Sequence, residues 1–220
     1  MRRLTGAVFQ SLDGVMQAPG GPEEDPSSDF RFGGWVQPLW DPDMGPFEKI
    51  IEADYDLLLG KRTYDIFAAY WPYNQDNPIG AKFQRINKYV LTHSAEPLSW
   101  ENSYKLSGDT AAAVAELKQI DGRDLLIQGS STLYVPLLAA GLIDQLVLMT
   151  FPILLGEGKR IFDGSEKPGA LKLVDYFVSN NGVVFTTYEP AGEVQTGSFA
   201  TKEPSKAELE RREKWAKEEA

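Results

Sequence analysis

Leu57-Leu58-Leu59-Gly60-Lys61-Arg62-Thr63 and Leu125-Leu126-Ile127-Gln128-Gly129-Ser130-Ser131-Thr132 decide the fold. Each is a short apolar run that ends in glycine and passes at once into a stretch with helical spacing. A strand that turns directly into a helix is the repeating unit of a parallel sheet. At such a junction the first amides of the helix lack an intrahelical partner, and the helix dipole favours an anion. The first junction adds two cations, Lys61 and Arg62, and the Thr63 hydroxyl. The second adds the hydroxyls of Ser130, Ser131 and Thr132, with no bulk beside Gly129. From the residues alone two readings stay open: a split phosphate site, or two ordinary turns that use Gly and Ser.

Working outward, further short apolar runs alternate with helical patterns. Strands are expected over 4–10, 56–59, 88–92, 124–128, 145–151, 171–178 and 183–188. The last two are joined by Asn180-Asn181-Gly182, a hairpin signal. Helices are expected over 46–53, opened by Pro46, and over 62–71, with Tyr64, Phe67 and Trp71 on one face. Two more are expected over 110–120 and 131–140, the latter with Ser/Thr caps at its start and Gly141 past its end. The order predicts an α/β fold: a mostly parallel central sheet flanked by helices, with a C-terminal antiparallel hairpin. Residues 17–45, rich in Gly, Pro and Asp, form a loop too long for a plain connection. Its aromatics Phe30, Phe32, Trp35 and Trp40 favour an ordered lid. The pattern stops after Pro190, so residues 1–190 are read as one domain and 191–220 as a charged tail. That tail carries a helix opened by the capping box Ser205-Lys206-Ala207-Glu208.

The 220 residues are 42% hydrophobic, enough for one sizeable core. A net charge of -10 with no basic stripe argues against a nucleic-acid partner. No window approaches the roughly 18 apolar residues of a membrane span, and the N-terminus lacks the apolar run of a signal peptide. There is no cysteine, and no His/Cys set for zinc. A soluble, cytoplasmic protein without a structural metal is the expectation.

The motifs together resemble the dihydrofolate reductase-like superfamily, and within it the reductase domain of RibD-like proteins from riboflavin biosynthesis. Gly60-Lys61-Arg62-Thr63-Tyr64 is similar to that superfamily's Gly-Arg-Lys-Thr-Trp/Tyr motif. Gln128-Gly129-Ser130-Ser131-Thr132-Leu133 is similar to its glycine turn before a helix. Ser11-Leu12-Asp13-Gly14 matches the end of the RibD-like first strand. Ala140-Gly141-Leu142-Ile143-Asp144, followed by Pro152-Ile153-Leu154-Leu155-Gly156-Glu157-Gly158-Lys159-Arg160-Ile161-Phe162, matches a later stretch in the right order. The resemblance covers residues 1 to about 190.

The resemblance implies a reductase that carries hydride from NADPH to a small heterocyclic or sugar-linked substrate. The reference reaction is 5-amino-6-(5-phosphoribosylamino)uracil reduction. It places Gly60, Lys61, Arg62 and Thr63 at the pyrophosphate and adenosine side of NADPH. Gly129, Ser130, Ser131, Thr132 and Leu133 wrap the pyrophosphate, and Thr92 and His93 sit at the 2′-phosphate. Asp13 lies beside the nicotinamide and substrate as the candidate catalytic residue. Gly156 lies near the same cleft, and Trp35, Tyr64, Phe151 and Phe162 are candidate stacking surfaces for a flat heterocycle. Lys159 and Arg160 are candidates for a substrate phosphate. Dihydrofolate reductase proper takes its proton from a carboxylate on an earlier helix, which falls near Asp43 or Glu48 here. The partners implied are a small-molecule substrate and a second copy in a homodimer. Two alternatives remain: a non-catalytic dinucleotide-binding module, and a genuine dihydrofolate reductase.

Overall fold

The computed structural model describes the chain except residues 42, 43, 163, 165, 166, 201, 219 and 220. Its centre is an eight-stranded sheet in the order β4-β3-β2-β5-β1-β6-β8-β7. The strands are β1 (Leu4–Ser11), β2 (Tyr55–Gly60), β3 (Lys88–Leu91), β4 (Ser103–Leu106), β5 (Asp124–Gln128), β6 (Gln145–Phe151), β7 (Leu171–Val178) and β8 (Val184–Pro190). The pairs from β4 through to β6 are all parallel, and β8 runs antiparallel to both β6 and β7. The expected mostly parallel sheet with a C-terminal hairpin is therefore what forms. Gly182, at φ +79°, makes the hairpin turn.

Alternation along the strands explains why both faces need cover. Leu57 and Leu59 enter one core with Phe47, Tyr64 and Phe83. These come from α1 (Gly45–Glu52), α2 (Lys61–Tyr70) and α3 (Pro78–Arg85). Leu58 and Ile127 enter a second core with Val114, Leu117, Leu133 and Leu137. These come from α4 (Thr110–Gln119) and α5 (Ser131–Ala139). Two elements exceed the sequence reading: α3, whose Asn77 side chain accepts the Ile79 N–H, and the edge strand β4. Among the described residues after Pro190 the one element is α6 (Lys206–Glu218), with none of its described residues buried. No helix among the described residues is long and apolar enough to cross a membrane.

Lys88, on β3, is wholly buried. Its ammonium donates to the Phe83 carbonyl at 2.7 Å and lies 4.2 Å from the Trp100 ring centroid. Burial pushes its pKa down to about 8, more than the carboxylates of Glu101 and Asp56 offset. The unfolded chain holds this proton up to its ordinary value of 10.5. In the intervening window the unfolded state binds more protons, so stability rises with pH. Denaturant unfolding is expected to show a gain of about 2 kcal/mol from pH 8 to 9.5, absent in Lys88→Met. A wild type with no gain refutes this.

Candidate functional site

The two glycine junctions lie side by side because β2 and β5 are neighbours, with Leu57 opposite Leu126 and Leu58 opposite Ile127. They clasp each other. The Gly60 N–H donates to Ser130 Oγ at 2.9 Å, and the Ser130 N–H donates to Thr63 Oγ1 at 2.9 Å. This corrects the expected helix cap: Ser130 precedes α5 but makes no side-chain cap bond, since its hydroxyl reaches across to β2. Neither α2 nor α5 is capped by a side chain, so their leading amides remain for a ligand. Gly129 and Ser130 both take left-handed conformations, at φ +67° and +56°. A Cβ on Gly129 would stand 3.0 Å from Thr63 Cγ2. Gly129→Ala is thus expected to cost about 1–3 kcal/mol of stability and to weaken nucleotide binding. Thermal melts and a nucleotide titration check it.

A cleft of about 640 Å³ opens on this clasp. Gly60, Lys61, Arg62, Thr63, Gly129, Ser130, Ser131 and Thr132 all line it, which joins eight of the expected cofactor residues. Lys61 is paired with Asp65 at 2.8 Å and with Glu96 at 3.6 Å. Gln128 lines the same cleft, and its Oε1 is buried without a partner among the described residues. An orphaned acceptor beside two uncapped helix starts fits a ligand that carries both N–H donors and phosphate.

Residues 17–41 of the expected loop close one side as an ordered lid. The Gln17 amide donates to the carbonyls of Asp25 and Ser27, each at 2.9 Å, and the Trp35 indole N–H donates to the Gln17 carbonyl at 2.8 Å. Asp25 latches the lid down. Its carboxylate takes Arg62 at 3.1 Å, the Ser27 hydroxyl at 2.6 Å and the Lys159 ammonium. Burial would raise the Asp25 pKa, but Lys159 and Ser27 outweigh it and hold the group below its ordinary value.

Glu24 also lines the cleft and is held differently. It accepts the N–H groups of Gly20 at 2.6 Å and Gly21 at 3.2 Å. Burial pushes its pKa up, the two amides only partly offset this, and the adjacent Asp25 adds to it. It is the one cleft-lining carboxylate among the described residues with no cation beside it in the ion pairs formed. Nothing in the periodicity or motifs marks Glu24; only the lid's fold brings it here.

Several expected site residues lie elsewhere. Asp13 is outside the cleft lining. Burial raises its pKa, yet hydrogen bonds from Ser11, Leu155 and Gly156 outweigh that and hold it at about 2. With Arg160 Nη2 at 3.3 Å as well, the carboxylate stays ionised and ties the end of β1 to the Gly156 loop. A group in that state has no proton to give near neutral pH, which is the physical obstacle to the expected catalytic role. Trp35, Tyr64, Phe151 and Leu133 are buried, and the Tyr64 hydroxyl accepts the Trp100 N–H at 2.8 Å. These four belong to the core rather than to the cleft wall. Gly156 and Phe162 are exposed outside it. Thr92 and His93 follow β3, next to Gly60, which is opposite Leu91. The Thr92 Oγ1 accepts the Ser94 N–H, and His93 is exposed. Of the two candidate acids, Glu48 is exposed on α1, and Asp43 lies outside the described residues.

Comparison with known proteins agrees with this frame. The chain is 25% identical over 191 residues to the uncharacterized protein YyaP of Bacillus subtilis (strain 168), covering 85% of this chain and 94% of that one. A putative riboflavin biosynthesis protein from Shewanella sp. PV-4 superposes with a TM-score of 0.65 at 22% identity, over 87% and 99% of the two chains. Dihydrofolate reductase from Enterococcus faecalis, solved with NADP(H), superposes with a TM-score of 0.53 at 19% identity, over 86% and 96%. At these identities the structures speak for the fold, which is dihydrofolate reductase-like. The motifs clasped at Gly60 and Gly129 sit within residues 2–185, which match the RibD C-terminal domain, and the chain belongs to that family.

Proposed function

We propose that the protein is an NADPH-dependent reductase that transfers hydride to a C=N or C=O group of a small heterocyclic or sugar-linked substrate. One observation carries the reading: two uncapped helix N-termini, clasped at Gly60 and Ser130, open with Lys61 and Arg62 onto a single cleft. Their amides and cations bind the phosphates, and Gln128 Oε1 offers an acceptor to the bound ligand. NADPH, when bound, supplies the hydride. Glu24, whose pKa burial raises, is the carboxyl that delivers a proton to the substrate nitrogen or oxygen, completing a two-electron reduction. Asp25, with Arg62 and Lys159, holds the lid that shields this step from water. Glu24 favours turnover over the purely binding module, because a cleft-lining carboxyl without a cation partner has no use in cofactor storage. Titrating NADPH against the five tryptophans tests the central claim; absence of binding ends it. A cytoplasmic location is part of the proposal, as it is where NADPH is available to a chain without cysteine.

A homodimer is also proposed. The edge strand β7 exposes Leu171, Leu173, Tyr176 and Val178. Long apolar edges are rarely left open in water. Sedimentation velocity is expected to give a dimer that Leu173→Lys with Tyr176→Lys converts to monomer; a monomeric wild type refutes it.

A further inference from the structure

The cleft has two chemically distinct halves. Arg62 and Lys159 share the Asp25 carboxylate, and Lys61 adjoins Arg62. All three cations that line the cleft therefore stand at the start of α2, beside the phosphate turns. Further along α2 the character changes. Phe67 is one turn beyond Thr63, and Trp71, which caps the helix, is another turn on, about 12 Å away at 1.5 Å per residue. Their ring centroids are 6.3 Å apart, and Ile79 of α3 lines the cleft with them. A second apolar wall comes from Phe9 of β1, Trp40 of the lid and Phe47 of α1, with centroids 5.3–6.2 Å apart. This half has no lysine, arginine or histidine among its described lining residues.

We infer that the substrate is a flat, uncharged and largely apolar carbonyl or imine compound, and that a phosphorylated substrate is excluded. This rests on the NADPH reading above and narrows its substrate. Each cation in the cleft already has a carboxylate partner, Lys61 with Asp65 and Glu96, Arg62 and Lys159 with Asp25. What they can still offer is taken by the cofactor's phosphates. A second phosphate on the substrate would enter the aromatic half with no counter-charge. Burying an unpaired anion there is strongly unfavourable. A flat neutral ring instead stacks on these side chains at no such cost. The family's phosphoribosyl substrate is thus a poor match for this member's cleft.

The test uses the full chain saturated with NADP+ and isothermal titration calorimetry. Lumichrome and menadione, both flat and neutral, are compared with uridine 5′-phosphate and riboflavin 5′-phosphate. The neutral pair is expected to bind at least tenfold more tightly than the phosphorylated pair. Phe67→Ala and Trp71→Ala are expected to weaken the neutral pair at least fivefold while the Kd for NADPH stays within twofold. Equal or tighter binding of the phosphorylated compounds overturns the inference, as does failure of the neutral pair to bind. The wild-type comparison decides the matter even if a variant does not fold. Loss of NADPH binding by the wild type is a separate result: it removes the reductase reading itself, and this inference with it.

Discussion

Glu24→Gln is expected to lower kcat about 100-fold or more while leaving the Kd for NADPH unchanged. The size is that of losing a positioned general acid. The amide keeps the shape of the carboxyl, so the lid and the Asp25 latch need not move. The pH profile gives the sharper signature. Burial raises the Glu24 pKa above its ordinary value of 4.5. Wild-type kcat should therefore fall as pH rises through that raised value, and the variant should lose this limb. The stability effect has a defined sign too. A carboxyl whose folded pKa is raised contributes stability below the unfolded value and loses it as pH rises through the folded one. Above its raised folded pKa the charged Glu24 is a cost, so there the variant should be no less stable than wild type. A drop in rate caused by misfolding would show the opposite. A variant with wild-type kcat, or with the limb intact, removes Glu24 as the proton source. The same experiment on Asp13→Asn should leave the limb in place, because Asp13 is held ionised at about 2.

A sequence carries only those structural signals that reside in neighbouring residues. The parallel sheet and the two glycine junctions at Gly60 and Gly129 are legible because their information is local: an apolar run, a glycine, a helix start; the clasp between them is not, because it joins Ser130 to Gly60 and Thr63 across the sheet. The α3 helix has a start signal in Asn77-Pro78 but a weak periodicity, because only Ile79 and Phe83 carry its apolar face. Strand β4 has no apolar signal because it is a short edge strand with Tyr104 and Lys105 exposed. The stacking residues went astray for another reason. Tyr64 and Phe67 sit on one helix three residues apart, and nothing in the sequence tells which one turns to the core. The fold buries Tyr64 against Trp100 and leaves Phe67 on the cleft. Glu24 was beyond reach because its environment is made by the lid's tertiary path. Gly20 and Gly21 donate to it, and the lid's path sets it on the cleft.

Lys61→Glu with Arg62→Glu is expected to weaken NADPH binding by about 100-fold or more, the largest binding effect of any change at the site. Each cation at the α2 start lies where a phosphate meets unpaired amides, and a hydrogen bond to a charged group contributes roughly 1.5–3 kcal/mol. Reversal adds repulsion to that loss. It also frees Asp65, Glu96 and Asp25 from the cations that balance them. The Lys61 pKa is raised, chiefly by its hydrogen bonds to Asp65, so the ammonium stays charged across the working range. Wild-type affinity should fall with added salt, because Arg62 is more than half exposed and the Debye length at 0.15 M is about 8 Å. The variant should lose most of that dependence. Lid disruption is the competing cause, since Arg62 is one of the two cations holding Asp25. Asp25→Asn separates the two. It loosens the same latch but leaves Arg62 free of its counter-charge, so NADPH should bind at least as well as to wild type. If Asp25→Asn and the double reversal weaken NADPH alike, the cations act through the lid and not on the phosphates. If the double reversal changes nothing, the clasped turns are a structural joint alone, and the cofactor site has to be sought elsewhere in the fold.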